Sequence, residues 1–305
     1  MTRAEPLRLL KLHGLGNDFL VLVDPEASTP IDAGLARRLC DRHTGVGADG
    51  LIRVTPASQG PGAPAGSAGT PGAGADYVME LLNADGSRAE TSGNGLRCLV
   101  LALEVSGLLS GPELVVSTDA GPRLARIGPV GGDGSAVVSV GMGEVHLGAE
   151  TTVLGHRSRL VDVGNPHVVV RLDDLDDLDE VDVEVHGPAE EARHAGGINV
   201  NFAALDGDGS VHLRTWERGA GATLACGSGS CATAAALRDW GLVGNVVEVD
   251  NPGGIVTVSF EGSGLILTGP AQLIATIEVP PSGAKAQAPR VGRPIEVGAG
   301  APGAE

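Results

Sequence analysis

Lysine is almost missing from this chain. Its 305 residues contain two, Lys11 and Lys285. A pyridoxal-phosphate enzyme needs a buried lysine for its Schiff base, and only Lys11 is placed to serve, with no phosphate cradle around it. Aromatic residues make up 2% of the chain, so Leu, Val, Ile and Ala must build the core. No apolar run reaches the length of a membrane-spanning helix. The stretch "MTRAEPLRLLKLHGLGNDF" has no signal-peptide pattern, since Arg8 and Lys11 break its apolar run. Basic residues are few, and the net charge of −17 leaves no patch to offset phosphate, which argues against nucleic acid and anionic membranes as partners. The four cysteines (Cys40, Cys98, Cys226 and Cys231) show no CxxC pair and no histidine at metal-ligand spacing. A reducing, cytoplasmic setting without a metal is expected.

What remains is an apolar chain, 42% by count, long enough for two modest cores. Eleven Val/Ile/Leu-rich stretches read as strands, among them "DFLVLVD", "YVMELLN", "HVVVRLD", "SVHLRTWE", "LILTG" and "LIATIEV". Helices are expected at about 31–41, 93–107 and 227–240, which makes the class α+β and strand-rich. The Pro/Gly/Ala/Ser segment at 56–75 reads as a flexible insertion and 281–305 as a disordered tail. The acidic run "DDLDDLDEVDVE" (173–184) reads as a solvated loop or helix face.

A repeat organises the rest. An offset of 134 sets "YVMELLNADGSRAETSGNG" on "VHLRTWERGAGATLACGSG" without a gap, placing Ser92 on Cys226. An offset of 148 sets "GLGNDFLVLVD" on "DVGNPHVVVRLD", placing Asn17 on Asn165. Two similar halves follow: residues 1–143 with a last strand at about 268–280, and residues 144–267. In each, a Gly-x-Gly opens a helix, whose unpaired N–H groups and dipole suit a carboxylate. The same field should lower the Cys226 thiol pKa toward the thiolate. If both helix starts face one point, Cys226 and Ser92 flank the same carbon, the arrangement needed to invert a stereocentre by removing and returning a proton. Cys98 lies six positions along the helix from Ser92, about 240° around and about 9 Å up, and cannot replace it.

The motifs "KLHGLGNDF", "NADGS", "SGNGLRC", "GNPH", "INVNFA" and "WERGAGATLACGSGSC" resemble the diaminopimelate epimerase family, in order from Lys11 to about Gly254. The resemblance implies two pseudo-symmetric domains, each a barrel-like sheet around a central helix. It implies conversion of LL-diaminopimelate to the meso form for lysine and cell-wall synthesis, with no cofactor and with two cysteines as base and acid. Carried over by position, Cys226 is one catalytic thiol and Ser92 stands at the second acid/base position, where the family has cysteine. Glu217 and His167 would tune proton transfer. Gly93, Asn94, Gly227 and Ser228 would hold the reacting carboxylate. Asn17, Asn83, Asn165, Asn199 and Arg218 would hold the other groups of a small amino acid with two carboxylates, with Glu217 also against substrate, in a possible homodimer. Gly50 stands where some members present a glutamine. Ser92 makes a poor unaided base, because a hydroxyl is a far weaker acid than a thiol. The alternatives are a racemase of another amino acid, a one-sided proton transfer, or an amino-acid binder without turnover.

Overall fold

Leu9 and Leu12 are buried along the first strand, in two separate core clusters, while Arg8 is exposed, so a segment broken by charge still builds a sheet. The structure is a computed structural model describing residues 6–58, 74–89, 92–207, 209–262 and 264–281. Residues 59–73 of the insertion, and all of the tail beyond Pro281, lie outside the described residues.

The chain runs β1 (Leu7–Gly14), β2 (Asn17–Val23), α1 (Ala33–Cys40), β3 (Gly50–Pro56), β4 (Tyr77–Asn83), α2 (Gly93–Val105), β5 (Glu113–Thr118), β6 (Gly121–Ile127) and β7 (Ser135–Glu144). It continues through β8 (His146–Val153), β9 (His156–Asp162), β10 (Pro166–Arg171), α3 (Leu175–Glu180), α4 (Val183–Glu191), β11 (Asn199–Leu205), β12 (Val211–Glu217) and β13 (Gly221–Thr223). It ends with α5 (Gly227–Asp239), β14 (Val246–Asn251), β15 (Gly254–Glu261) and β16 (Gly264–Val279). The fold is α+β and strand-rich.

Strands β1 to β7 lie side by side, and β16 pairs with both β7 and β1, closing an eight-stranded barrel. From β16 the ladder continues through β15, β14, β12, β11, β10 and β9 to β8, with β13 beside β12. Among the described residues no ladder joins β8 to β16, so only the first ring closes. Each half contains two parallel pairings: β2–β3 and β4–β5 in the first, β10–β11 and β12–β14 in the second. A parallel pair needs a crossover, and the second crossover of each half is the central helix, α2 or α5.

Both central helices are buried from the start. Every residue from Gly93 to Leu103 in α2 and from Gly227 to Leu237 in α5 is buried. The α2 sequence is mainly apolar, as suits a helix inside a barrel, with Asn94 and Arg97 its buried polar side chains. In α5 the small side chains Ala232, Ala234, Ala235 and Ala236 let its sheet approach closely.

Two expectations need correction. "LILTG" and "LIATIEV" are not two strands but one 16-residue strand, β16. The acidic run contains two helices that the sequence reading left undivided. Asp174 and Asp182 are their N-caps, accepting from the Asp177 and the Glu184 and Val185 N–H groups, and acidic side chains suit a helix start. No helix among the described residues is long and apolar enough to cross a membrane.

Candidate active site

Ser92 and Cys226 are both N-caps, with extended backbone (φ −148° and −117°). Ser92 Oγ accepts the Gly95 N–H at 3.0 Å, and Cys226 Sγ accepts the Gly229 N–H at 3.3 Å. In both helices the donor three residues on is a glycine, and a side chain there would fit tightly. A Cβ on Gly95 would lie 3.2 Å from Ser92 Oγ, and one on Gly229 would lie 3.2 Å from Cys226 Sγ. The helix starts also meet each other: a Cβ on Gly227 would come 3.4 Å from the Gly93 Cα. Two positive helix ends thus converge on one place.

That place is a cavity of about 680 Å³ between the halves. Ser92, Gly93 and Asn94 line it from α2, and Cys226, Gly227 and Ser228 from α5. Asn17, Asn83, Asn165, Asn199, Glu217 and Arg218 complete the residues singled out from sequence. His167 is not in the lining; it is fully buried behind Asn165. Asp49, Asp85 and Arg88 line the cavity as well and were not picked out in the sequence.

The polar groups form a connected frame. Asn94 Nδ2 donates across the halves to the Ala225 carbonyl at 2.9 Å and to Asn17 Oδ1 at 3.2 Å. Asn17 Nδ2 donates to Asp49 at 2.8 Å. Asn83 Nδ2 donates to Ser87 Oγ at 3.0 Å. Asn199 Nδ2 donates to the Pro166 carbonyl at 2.8 Å, while its Oδ1 accepts the Arg218 N–H at 3.0 Å. The Arg218 guanidinium donates to the Gly196 carbonyl at 3.2 Å.

Cys226 donates to Glu217 Oε2 at 3.1 Å, and Thr223 holds the other carboxylate oxygen at 2.6 Å. Burial pushes the Cys226 thiol well above its usual range and the Glu217 charge adds to this, outweighing the helix-start N–H. The expected shift toward thiolate is therefore reversed in this structure. Burial also raises the Glu217 pKa. The resting pair is a thiol that donates to the Glu217 carboxyl group. The other thiols are buried too, with Cys98 and Cys231 pushed up to about 12 and Cys40 to about 11, which suits packing and not chemistry.

The protonation of His167 follows from its neighbours. Asn201 Nδ2 donates to the Val168 carbonyl at 3.3 Å, and a carbonyl only accepts, so the amide orientation is set. The same nitrogen donates to His167 Nδ1 at 3.0 Å. The ring proton is therefore on Nε2, which donates to Asn165 Oδ1 at 3.0 Å. This turns Asn165 Nδ2 toward Ser228 Oγ, 3.4 Å away, so Asn165 offers the site a donor. Burial pulls the His167 pKa down to about 3, leaving the ring neutral. Thr215 anchors Asn201 from behind at 3.2 Å. Asn201 lies two residues after Asn199 on one strand, and this same-face spacing is the signal that could have revealed it.

The two halves differ in what stands behind each tip. In corresponding strands, Phe19 matches His167, Ile52 matches Asn201, Leu81 matches Thr215 and Asn83 matches Glu217. Glu217 and His167 stand on the Cys226 side. Among the described residues no carboxylate or imidazole bonds Ser92; Glu90 and Thr91 lie outside them. For a cation, the described residues gather one group, His156, Asp173 and Asp177, with ligand atoms within 4.8 Å of one another and outside the cavity lining.

Paired sheet-wrapped helices that aim both N-termini at one cavity, with Ser92 and Cys226 at their caps, define a class of protein: the fold shared by epimerases and racemases. Solved structures agree on the fold. A hydroxyproline epimerase from Agrobacterium vitis superposes with a TM-score of 0.63 at 21% identity, covering 91% of this chain and 94% of its own. A phenazine biosynthesis protein of the PhzF family from Bacillus anthracis gives 0.66 at 18% identity, covering 90% and 99%. The diaminopimelate epimerase family model matches residues 9–148 and 159–274. A diaminopimelate epimerase of Mycolicibacterium smegmatis is 40% identical over 280 residues, 89% of this chain and 96% of that protein. The chain belongs to the diaminopimelate epimerase family, a family of isomerases.

Proposed function

We propose that this protein interconverts LL- and meso-2,6-diaminopimelate, in the synthesis of lysine and of peptidoglycan precursors, without a cofactor. The observation that carries this reading is the meeting of the two helix starts, with the Cys226–Glu217 pair at one cap and Ser92 at the other. The reacting carboxylate lies across the Gly93–Asn94 and Gly227–Ser228 N–H groups. The distal amino and carboxylate groups lie against Asn17, Asn83, Asn165, Asn199 and Arg218, whose planar fork suits a carboxylate. Glu217 takes the thiol proton, the Cys226 sulfur takes the hydrogen of Cα, and the Ser92 hydroxyl delivers a proton to the opposite face. Ser92 recovers its proton from water, since Glu217 is engaged with Cys226. His167 stays neutral and aims Asn165.

A second reading draws on the gathering of proton-handling groups around Cys226: a proton transfer confined to that face, giving isomerisation or exchange without inversion. The two are separated by giving purified protein LL-diaminopimelate with no cofactor and resolving the products chirally. Meso product is expected, with a loss of about 10²–10⁴-fold in Cys226→Ala and retained or higher activity in Ser92→Cys. No meso product from the wild type rejects the proposal. Turnover of monocarboxylic amino acids in preference moves it to another amino acid.

A further inference from the structure

Arg97, in the "SGNGLRC" motif, heads the largest side chains that are fully buried, with 0% exposure. It sits on α2 one turn past Gly93, and helical side chains lean back toward the N-terminus. Its Nη2 donates to Asn94 Oδ1 at 2.8 Å and its Nε to the Pro270 carbonyl at 3.3 Å. Its Nη1 has no hydrogen-bond partner among the described residues. No carboxylate pairs with it there either; the ionisable groups that influence it are the buried thiols Cys98 and Cys231. Gly14 and Gly269 make room for the guanidinium: a Cβ on the first would lie 3.0 Å from Nη2, and one on the second 3.4 Å from Cζ. Burial lowers its pKa to about 10, so it stays charged at neutral pH.

A buried cation without an anion costs stability. This one touches Asn94, whose amide spans the two helix starts and lines the cavity. We propose that Arg97 is the resident counter-charge of the carboxylate site: a positioning residue that orients and polarises Asn94 and adds a full positive charge behind the two helix ends. It rests on the reading that the cavity holds a carboxylate. Negative charge grows on that carboxylate when the Cα hydrogen leaves, so the charge favours the transition state over bound substrate. A loss of charge therefore lowers kcat by more than it raises KM.

The test uses Cys226 as a reporter in the full chain. Alkylation by iodoacetate and by iodoacetamide is followed at one alkaline pH, by mass, on the peptide carrying Cys226. Wild type is compared with Arg97→Lys, which keeps the charge, Arg97→Gln, which keeps a donor without charge, and Arg97→Met. The iodoacetate-to-iodoacetamide rate ratio is expected to hold in Arg97→Lys and to fall about tenfold in the other two, about 1.4 kcal/mol of lost attraction. Thermal stability should be unchanged or higher in Arg97→Met, because a buried charge has gone. A wild-type ratio in Arg97→Gln, or a fall that appears only with lost stability, overturns the proposal. The ratio is independent of diaminopimelate turnover. A wild-type chain inert toward diaminopimelate but with an Arg97-dependent ratio sinks the proposed function and leaves this inference standing.

Discussion

Ser92 and Cys226 occupy the same position on twin helices but have different neighbours. The sulfur has Glu217 at 3.1 Å, and the hydroxyl accepts a backbone N–H. Among the described residues, only the sulfur has a carboxyl group hydrogen-bonded to it. His167 carries a residue-level consequence for stability. Its pKa is about 3 in the fold against 6.5 unperturbed, so the native state holds fewer protons than the unfolded chain between those values. Stability is full above pH 6.5 and is lost as pH falls, by about 1.4 kcal/mol per pH unit once the unfolded histidine is charged. Denaturant melts at stepped pH should show this slope in wild type and a flatter one in His167→Gln. An unchanged slope would contradict the buried neutral ring. The repeat made Cys226 and Ser92 legible in the sequence, and the family resemblance of the ordered motifs pointed to the cavity asparagines. Arg97, Asn201 and Thr215 escaped it because each is a polar residue inside an apolar helix or strand pattern, where only its partners reveal its purpose.

At the scale of elements, the helix starts explain why these turns are glycine-rich. A Cβ on Gly229 runs into Asn201 Oδ1, a fixed member of the His167 frame, whereas one on Gly95 meets Ile52 and Ser92 at 3.2 Å, where the apolar side chain can yield. Alanine also gains helix propensity over glycine, about 1 kcal/mol. Gly229→Ala should therefore cost about 1–3 kcal/mol in chemical denaturation and Gly95→Ala close to nothing. Equal costs would contradict the different packing of the two tips. The long helices were legible to within two residues because a run of mainly apolar and small residues follows a cap. The helices α3 and α4 were not, because their acidic caps and first turns look like a solvated run. Strand β1 was missed for a related reason. Lys11 interrupts its apolar pattern, yet the ammonium pairs with Asp18 at 3.0 Å and donates to the Gly47 carbonyl at 2.6 Å.

Across the whole molecule, duplication and asymmetry serve different ends. The repeat brings two helix starts to one cavity, and the divergence of the flanking strands places Glu217 and His167 on the Cys226 side alone. The sequence offsets made the duplication visible. They could not show that β16 closes one ring while the second ring stays unjoined in the described residues, since closure depends on pairing between chain ends. For a strongly acidic chain to bind the acidic substrate proposed, cationic points are needed, and Arg88, Arg97 and Arg218 stand at or behind the cavity.

The most direct test of the paired-tip site is hydrogen exchange in D₂O, with LL- and meso-diaminopimelate supplied in separate reactions and followed by NMR and chiral separation. Each isomer should yield the other with deuterium at the inverted α-carbon, and the isomer whose hydrogen faces Cys226 should exchange ahead of its conversion. Unlabelled α-carbons in both reactions would contradict the site proposed between Cys226 and Ser92.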